Sequence, residues 1–236
     1  MSGEGKVGST PEAQAIVDRY ARRGAADPRY SMLNPDVWMT LQERQRVVLR
    51  RFATQGLDLP SVRLLEVGCG EGGNLLELIR MGFAPERLTG IELIEDRFDV
   101  AHQRLPQALQ LHWGDALAAE LPVDSQDIVF VSTVFSSILD LATQRSLAAA
   151  MWRWLRPGGA VLWYDLAVDN PRNRDVRGVP RARLRELFPQ GRVEAQRITL
   201  APPIARRICR LHPSLYTVFN TIPLLRTHLL AWITKS

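Results

Sequence analysis

Glu66, Gly68, Gly70, Gly73, Glu92 and Asp115 are the residues whose types and spacing could do chemistry. Leu64-Leu65-Glu66-Val67 runs into the glycine-dense turn Gly68-Cys69-Gly70-Glu71-Gly72-Gly73, and Asn74 then opens the helical pattern Leu75-Leu76-Glu77-Leu78-Ile79. A strand that hands over to a helix through glycines makes a nucleotide-sized site. Glycine tolerates positive φ, a ligand can approach the bare main chain, and the helix start presents free N–H groups. The spacing G-x-G-x-x-G, with Glu92 placed to accept from an adenosine ribose, fits a dinucleotide as well as any other adenosine ligand. Glu66 tilts that balance. A carboxylate at the strand's tip would repel a pyrophosphate but suits an α-amino group. Asp115, in Trp113-Gly114-Asp115-Ala116, could accept from an adenine amino group. Each residue also has a plain structural use: Gly72 and Gly73 in tight strand–helix packing, Asn74 as a helix cap, and Asp115 in a turn.

The elements that must position these residues follow from apolar patterning. Strands are predicted at 63–67, 88–92, 109–113, 128–133 and 160–165, with two further strands at 193–200 and 229–234. Helices are predicted at 11–23, at 36–54 with Asp36 as N-cap, and at 74–81, 94–105 and 143–154, with a short turn after Asp115. Strands separated by helix-sized segments predict a parallel sheet with helices on both faces. Leu155-Arg156-Pro157-Gly158-Gly159 is expected to turn the fifth helix into the fifth strand. One domain is expected over 11–236: an N-terminal helical cap at 11–56, a nucleotide-binding core at 57–166, and an acceptor-side loop, helical insertion and last strands at 167–236. Residues 1–10 are expected to be disordered.

Composition narrows the class. A chain of 236 residues with 46% hydrophobic residues can bury one sizeable core, and no apolar run is long enough to span a bilayer. The polar N-terminus carries no apolar signal region, and two cysteines make no disulfide framework, so a cytoplasmic location is expected. Cys69 has no histidine beside it in sequence and serves as a small turn residue. The net charge is +5, and from Arg181 to Ser236 ten Lys/Arg stand against two Asp/Glu. That concentration fits either a solvated arginine-rich surface or a face for anionic partners.

With Glu66, the glycine turn, Glu92, Asp115 and Pro157-Gly158-Gly159 assembled in order, the chain resembles the Rossmann-like (class I) S-adenosyl-L-methionine-dependent methyltransferases over about residues 57–166. The resemblance implies a doubly wound, seven-stranded, mostly parallel α/β sheet whose last strand, at 229–234, is inserted antiparallel. It also implies roles. Gly68 and Gly70 would pass the methionine moiety, Glu66 would lie near its amino group, and Asn74 would cap the helix or touch the carboxylate. Glu92 would accept from both ribose hydroxyls, Asp115 with the Ala116 amide would read adenine, and Ser132 and Thr133 would line the methyl-donor side. No metal is expected, although Asp165 and Asp169 are spaced so that a cation remains open.

Methyl transfer is an in-line displacement that needs a nucleophile about 3 Å from the methyl carbon and, for a hydroxyl, an acceptor for its proton. The hydroxyl-rich run 132–140 and the stretch Trp163-Tyr164-Asp165 onward are expected to form the acceptor side. Asp165 is the first choice for a general base, with Tyr164 beside it; the alternative for Asp165 is a structural carboxylate paired with Arg172 or Arg174. His102 and His112 are placed as packing or surface residues, whereas His212 and His228 reach the site only if the C-terminal region folds over it. Segments 170–178, 187–189, 200–207 and 224–228 resemble a bacterial subgroup associated with polysaccharide biosynthesis, which implies O-methylation of a sugar or glycan hydroxyl. Other small-molecule acceptors, a nicotinamide-dependent oxidoreductase and a non-catalytic cofactor-binding module stay open as alternatives. No nucleic-acid acceptor is expected, and the oligomeric state does not follow from the sequence. Residues 201–226 carry apolar residues at near-helical spacing, interrupted by Pro213 and Pro223, with Arg206, Arg207 and Arg210 at one end. This segment is a packing insertion, a lid, a dimer face or a peripheral membrane contact.

Overall fold

The central strands read as nearly continuous apolar runs because both faces of the sheet are covered there. In the computed structural model, which describes residues 10–22, 28–170 and 173–236, the strands are β1 (Leu64–Val67), β2 (Leu88–Glu92), β3 (Gln110–Trp113), β4 (Gln126–Ser132), β5 (Leu155–Leu166), β6 (Arg192–Leu200) and β7 (Arg226–Thr234). They form one seven-stranded sheet in the order β3-β2-β1-β4-β5-β7-β6. β1 to β5 pair in parallel, and β7 is inserted antiparallel between β5 and β6. This is the Rossmann-like doubly wound sheet with the antiparallel last strand expected from 229–234. The order reverses between β1 and β4, and a switch point of that kind opens a crevice at the carboxyl ends of the strands.

Alternate residues serve opposite layers, as the two-residue period of a strand requires. Leu64, Ile128, Phe130 and Leu162 pack on one side with Phe52 of α2 (Pro35–Thr54) and Leu75 of α3 (Gly73–Met81). Leu65, Val129, Val131 and Trp163 pack on the other with Leu147 and Met151 of α5 (Leu141–Trp154). The remaining helices are α1 (Pro11–Ala21), α4 (Glu95–Arg104), α6 (Arg181–Leu187), α7 (Pro202–Cys209) and α8 (Leu215–Phe219). No helix among the described residues is long and apolar enough to cross a membrane.

Two local expectations change. Asn34, not Asp36, caps α2: its backbone is extended at ψ 124°, and Pro35 occupies the first helical position. The pyrrolidine ring pushes the residue before it out of the helical region while suiting N1 itself, so Asp36 falls in the first turn, where its charge favours the helix dipole. The Pro157-Gly158-Gly159 turn is absorbed into β5, which starts directly after α5 at Leu155 and takes up the irregularity as a register shift opposite Gln126–Ile128. As the interrupting prolines predict, the 201–226 segment divides into α7 and α8, with Pro213 between them. The expected disorder of residues 1–10 lies, but for Thr10, outside the described residues.

Glu43 of α2 ties this segment to the sheet from within. It is buried, accepts from Tyr216 Oη at 2.7 Å and Asn220 Nδ2 at 2.6 Å, and takes the Thr199 N–H at 3.2 and 3.1 Å. Thr199 sits at φ 67°, where a β-branched residue is strained, and the carboxylate fixes it there. Glu43→Ala removes one acceptor from several buried donors. We expect a loss of about 2–4 kcal/mol in urea unfolding, with α8 exchanging amide hydrogens first.

Candidate functional site

The β1–α3 turn is built by its glycines. Gly68 and Cys69 both donate to Ile91 O, at 2.8 and 3.0 Å, which draws the turn across the end of β2. Gly68 has φ 69°, and a Cβ there would meet Val134 Cγ2 at 2.6 Å, so only glycine keeps this wall of the cleft open. At the end of β2, Glu92 is buried and turned inward: Oε2 accepts from Gly70 N at 2.6 Å and Oε1 from Ile94 N at 2.9 Å. Burial pushes its carboxyl up, against these hydrogen bonds. After β3, Asp115 Oδ1 accepts from Leu117 N at 2.9 Å and so caps the short turn Ala116–Ala118. Its Oδ2 accepts from Thr10 Oγ1 at 3.3 Å, while Thr10 also caps α1.

These groups line one cleft with about 810 Å³ of free space, part of it open to solvent. Gly68, Glu92, Asp115, Ala116, Ser132 and Thr133 meet there, and α1 covers it with Ala13, Ile16 and Tyr20. Arg97 lies 4.8 Å above the Tyr20 ring and so closes the same side. Thr133, directly after β4, sits at φ 57°, donating its N–H to Tyr164 O at 2.8 Å and its hydroxyl to Ser132 O at 2.7 Å. A strained threonine on the cleft floor is the sort of backbone feature that clusters at working sites.

Behind the cleft floor lies a second, charged network. Glu66 is fully buried; Asn74 Nδ2 donates to its Oε1 at 2.6 Å, and its Oε2 is buried without a partner among the described residues. Burial pushes the carboxyl to about 8, against the Asn74 bond and the Arg44 charge. Arg44 donates to Asn74 Oδ1 at 2.7 Å, to Glu77 Oε2 at 3.4 Å and to Ser132 Oγ at 3.4 Å, and lies 5.2 Å above the Tyr164 ring. Tyr164 Oη shares a hydrogen bond of 2.9 Å with Thr199 Oγ1, and its ring stacks on His228 at 5.0 Å. Burial raises the Tyr164 hydroxyl and, with the Arg44 charge, lowers His228 to about 4, so this imidazole is neutral at pH 7. The C-terminal region thus brings His228, and not His212, against Tyr164 behind the cleft floor.

Asp165 is separated from the cleft. Strand alternation turns Tyr164 toward α2 and Asp165 toward α5, where its carboxylate accepts from Ser136 N at 3.0 Å and Leu166 N at 2.7 Å. It is fully buried, and burial raises it to about 6. Arg172 lies outside the described residues, and the partners found are main-chain amides and the Ser136 side chain. Asp169 accepts from Gly178 N at 2.8 Å. No group of three or more His, Cys, Asp or Glu placed to hold a metal occurs among the described residues. Cys69 is buried, and burial raises its thiol.

Arg44, Glu43, Thr10 and Tyr20 were not anticipated from sequence. Thr10-Pro11 carried a usable signal, since a threonine before a helix-opening proline is a cap. So did Glu43, four residues after Met39 on the apolar face of α2. Nothing local marked Arg44.

An inward carboxylate at each of the first two strand ends, a glycine cradle and an acidic cap after the third define an S-adenosyl-L-methionine-dependent methyltransferase fold. The group itself fits the residues present, because Glu66 Oε2 is a buried acceptor with no protein donor, in the turn where an α-amino group would lie. Residues 64–159 match the methyltransferase domain family. The fatty-acid O-methyltransferase of Mycolicibacterium smegmatis is 30% identical over 172 residues, covering 65% of this chain and 59% of that protein. The trans-aconitate 2-methyltransferase of Afipia carboxidovorans is 29% identical over 185 residues, covering 76% of this chain and 64% of that one. The chain thus spans less than two thirds of the length of these curated relatives. Among solved structures, geranyl diphosphate C-methyltransferase from Streptomyces coelicolor, in complex with Mg2+, geranyl diphosphate and S-adenosyl-L-homocysteine, superposes with a TM-score of 0.66 at 15% identity, over 96% of this chain and 98% of that one. Phosphoethanolamine N-methyltransferase 2 of Haemonchus contortus, with S-adenosyl-L-methionine, gives 0.60 at 18% identity, over 81% and 52%. At these identities the structures speak for the fold. The oxidoreductase alternative is not favoured.

Proposed function

We propose that the protein transfers a methyl group from S-adenosyl-L-methionine to an oxygen of a small carboxylic acid. The observation that carries this reading is the withdrawal of Asp165, whose side chain is fully buried and bonded to main-chain N–H groups and the Ser136 side chain. A hydroxyl acceptor needs a base within reach, whereas a carboxylate is ionised at neutral pH and attacks without one. The fatty-acid and trans-aconitate relatives act on acids by name, which supports the same class. The cofactor, when bound, supplies an electrophilic methyl group. Glu66 would hold its ammonium, Glu92 its ribose hydroxyls, and Asp115 with the Ala116 amide its adenine. Gly68 and Gly70 would leave room for the methionine chain beside Asn74, and Ser132 and Thr133 would floor the donor side. Arg44, bonded to Ser132 and above Tyr164, would steer an anionic acceptor toward that floor.

A second reading, O-methylation of a sugar or glycan hydroxyl, is favoured by one observation. His228, neutral and stacked on Tyr164, could take a hydroxyl proton that Asp165 cannot reach. The two readings differ in their product. With methyl-labelled cofactor and a panel of long-chain fatty acids, di- and tricarboxylic acids, monosaccharides and envelope glycans, we expect label in a product that releases methanol in mild alkali, as an ester does. Label found only in alkali-stable methyl ethers would replace the acid reading with the sugar one. Transfer to no member of the panel would argue against both.

A further inference from the structure

We propose that the outer face of α7, α8 and the loop leading to β7 docks on an anionic phospholipid bilayer. Tyr216 and Asn220, four residues apart, point inward to Glu43. Helical geometry then turns Val218 to the opposite side. Val218 is 60% exposed, Leu211 80% and Leu224 87%, with Ile222 and Phe219 also exposed. Large apolar side chains left in water within one short segment mark an interaction face rather than ordinary surface.

Charge selects the occupant. Arg207 and Arg210 are exposed beside these apolar residues, and no Asp or Glu follows Glu194 in the chain. The acids lying under the face are already engaged: Glu43 is buried in its hydrogen bonds, and Asp36 faces Arg206 at 3.9 Å. A second copy would bring this patch against itself across a two-fold axis, setting Arg207 and Arg210 against their own kind. Anionic headgroups instead complement the arginines while the leucines enter the acyl boundary. Glu43 links this face inward, since it bonds Thr199, which bonds Tyr164. Docking does not depend on what the acceptor is.

The test uses the full chain and vesicles of phosphatidylcholine alone or with phosphatidylglycerol at a 7:3 ratio. Co-sedimentation should be at least fivefold greater with the anionic vesicles and should fall to the neutral level in high salt. Leu211→Asp and Leu224→Asp, both at solvent-exposed positions, should each lower it at least tenfold while leaving S-adenosyl-L-homocysteine binding unchanged. Equal binding to both vesicle types, no binding to either, or binding that both variants retain would overturn the proposal. So would a stable dimer in light scattering that Leu224→Asp converts to monomer, which would assign the face to a second copy. Loss of methyl transfer alone leaves this measurement unaffected, because vesicle binding is read without turnover.

Discussion

Glu92→Ala is expected to weaken S-adenosyl-L-homocysteine binding about a hundredfold or more, measured by titration calorimetry. The size follows from the number of bonds at stake. A carboxylate that accepts from both hydroxyls of a ribose makes two charge-assisted hydrogen bonds, and bonds to charged groups contribute about 1.5–3 kcal/mol each. The carboxylate also organises the site before any ligand arrives, because it holds Gly70 N and Ile94 N at 2.6 and 2.9 Å. Alanine would leave both amides without that acceptor and loosen the glycine turn, so two effects add in the same direction. Glu92→Gln separates them: it keeps the side-chain volume and one acceptor, and binding should be intermediate. The control is thermal. Wild type should gain melting temperature with the ligand, Glu92→Ala should not, and the ligand-free melting temperatures report the loosened turn alone. Unchanged affinity in Glu92→Ala would remove Glu92 from the ribose-binding role.

Glu92 was legible because its signal is local. It ends an apolar run and follows a glycine turn at a characteristic distance, and the strand that carries it pairs directly with β1. The strands were legible for the same reason, since apolar patterning and turn residues are local. The antiparallel insertion of the last strand between β5 and β6 is instead a non-local pairing that only the family resemblance implied. Asp165 shows where such reading stops short. Tyr164 and Asp165 are adjacent in a strand, so they point to opposite faces, and only Tyr164 can share a side with α2. The two-residue period contained that conclusion, but a reading by composition grouped the pair as one acceptor site. Arg44 is a different case. Its role arises where α2 packs across the sheet and sets a guanidinium between Asn74, Ser132 and Tyr164, three residues carried by three other elements. Helix spacing places Arg44 on a face; it does not say which strand end that face meets. The segments behind the polysaccharide resemblance are partly packing in the structure: Phe188 sits against Trp163 and Trp152, and Pro202 opens α7.

Cofactor binding is expected to release a proton near neutral pH, and Glu66 is its source. Burial holds this carboxyl at about 8, far above its ordinary 4.5. The sign follows directly. A carboxyl raised in the folded protein binds its proton more tightly there than in the unfolded chain, so its contribution to stability is full below pH 4.5 and is lost as pH rises through about 8. At pH 7 and without ligand, Glu66 is therefore mostly neutral. An ammonium set against its unpartnered Oε2 favours the charged form and lowers the pKa, which requires the proton to leave. Linkage then gives a release of more than half a proton at pH 7, and an affinity that improves as pH rises toward about 8 and levels above it. Calorimetry in two buffers of different ionisation enthalpy reads the proton count directly. Glu66→Gln should abolish both the release and the slope while keeping the Asn74 bond through its amide oxygen. Asp165, raised to about 6, titrates in part of the same window, but it faces α5 and makes no contact with the turn, so its contribution should survive in Glu66→Gln and can be subtracted. Wild-type binding with no proton release at pH 7 would mean that the ammonium does not rest on Glu66, and the orphaned oxygen would then need another donor.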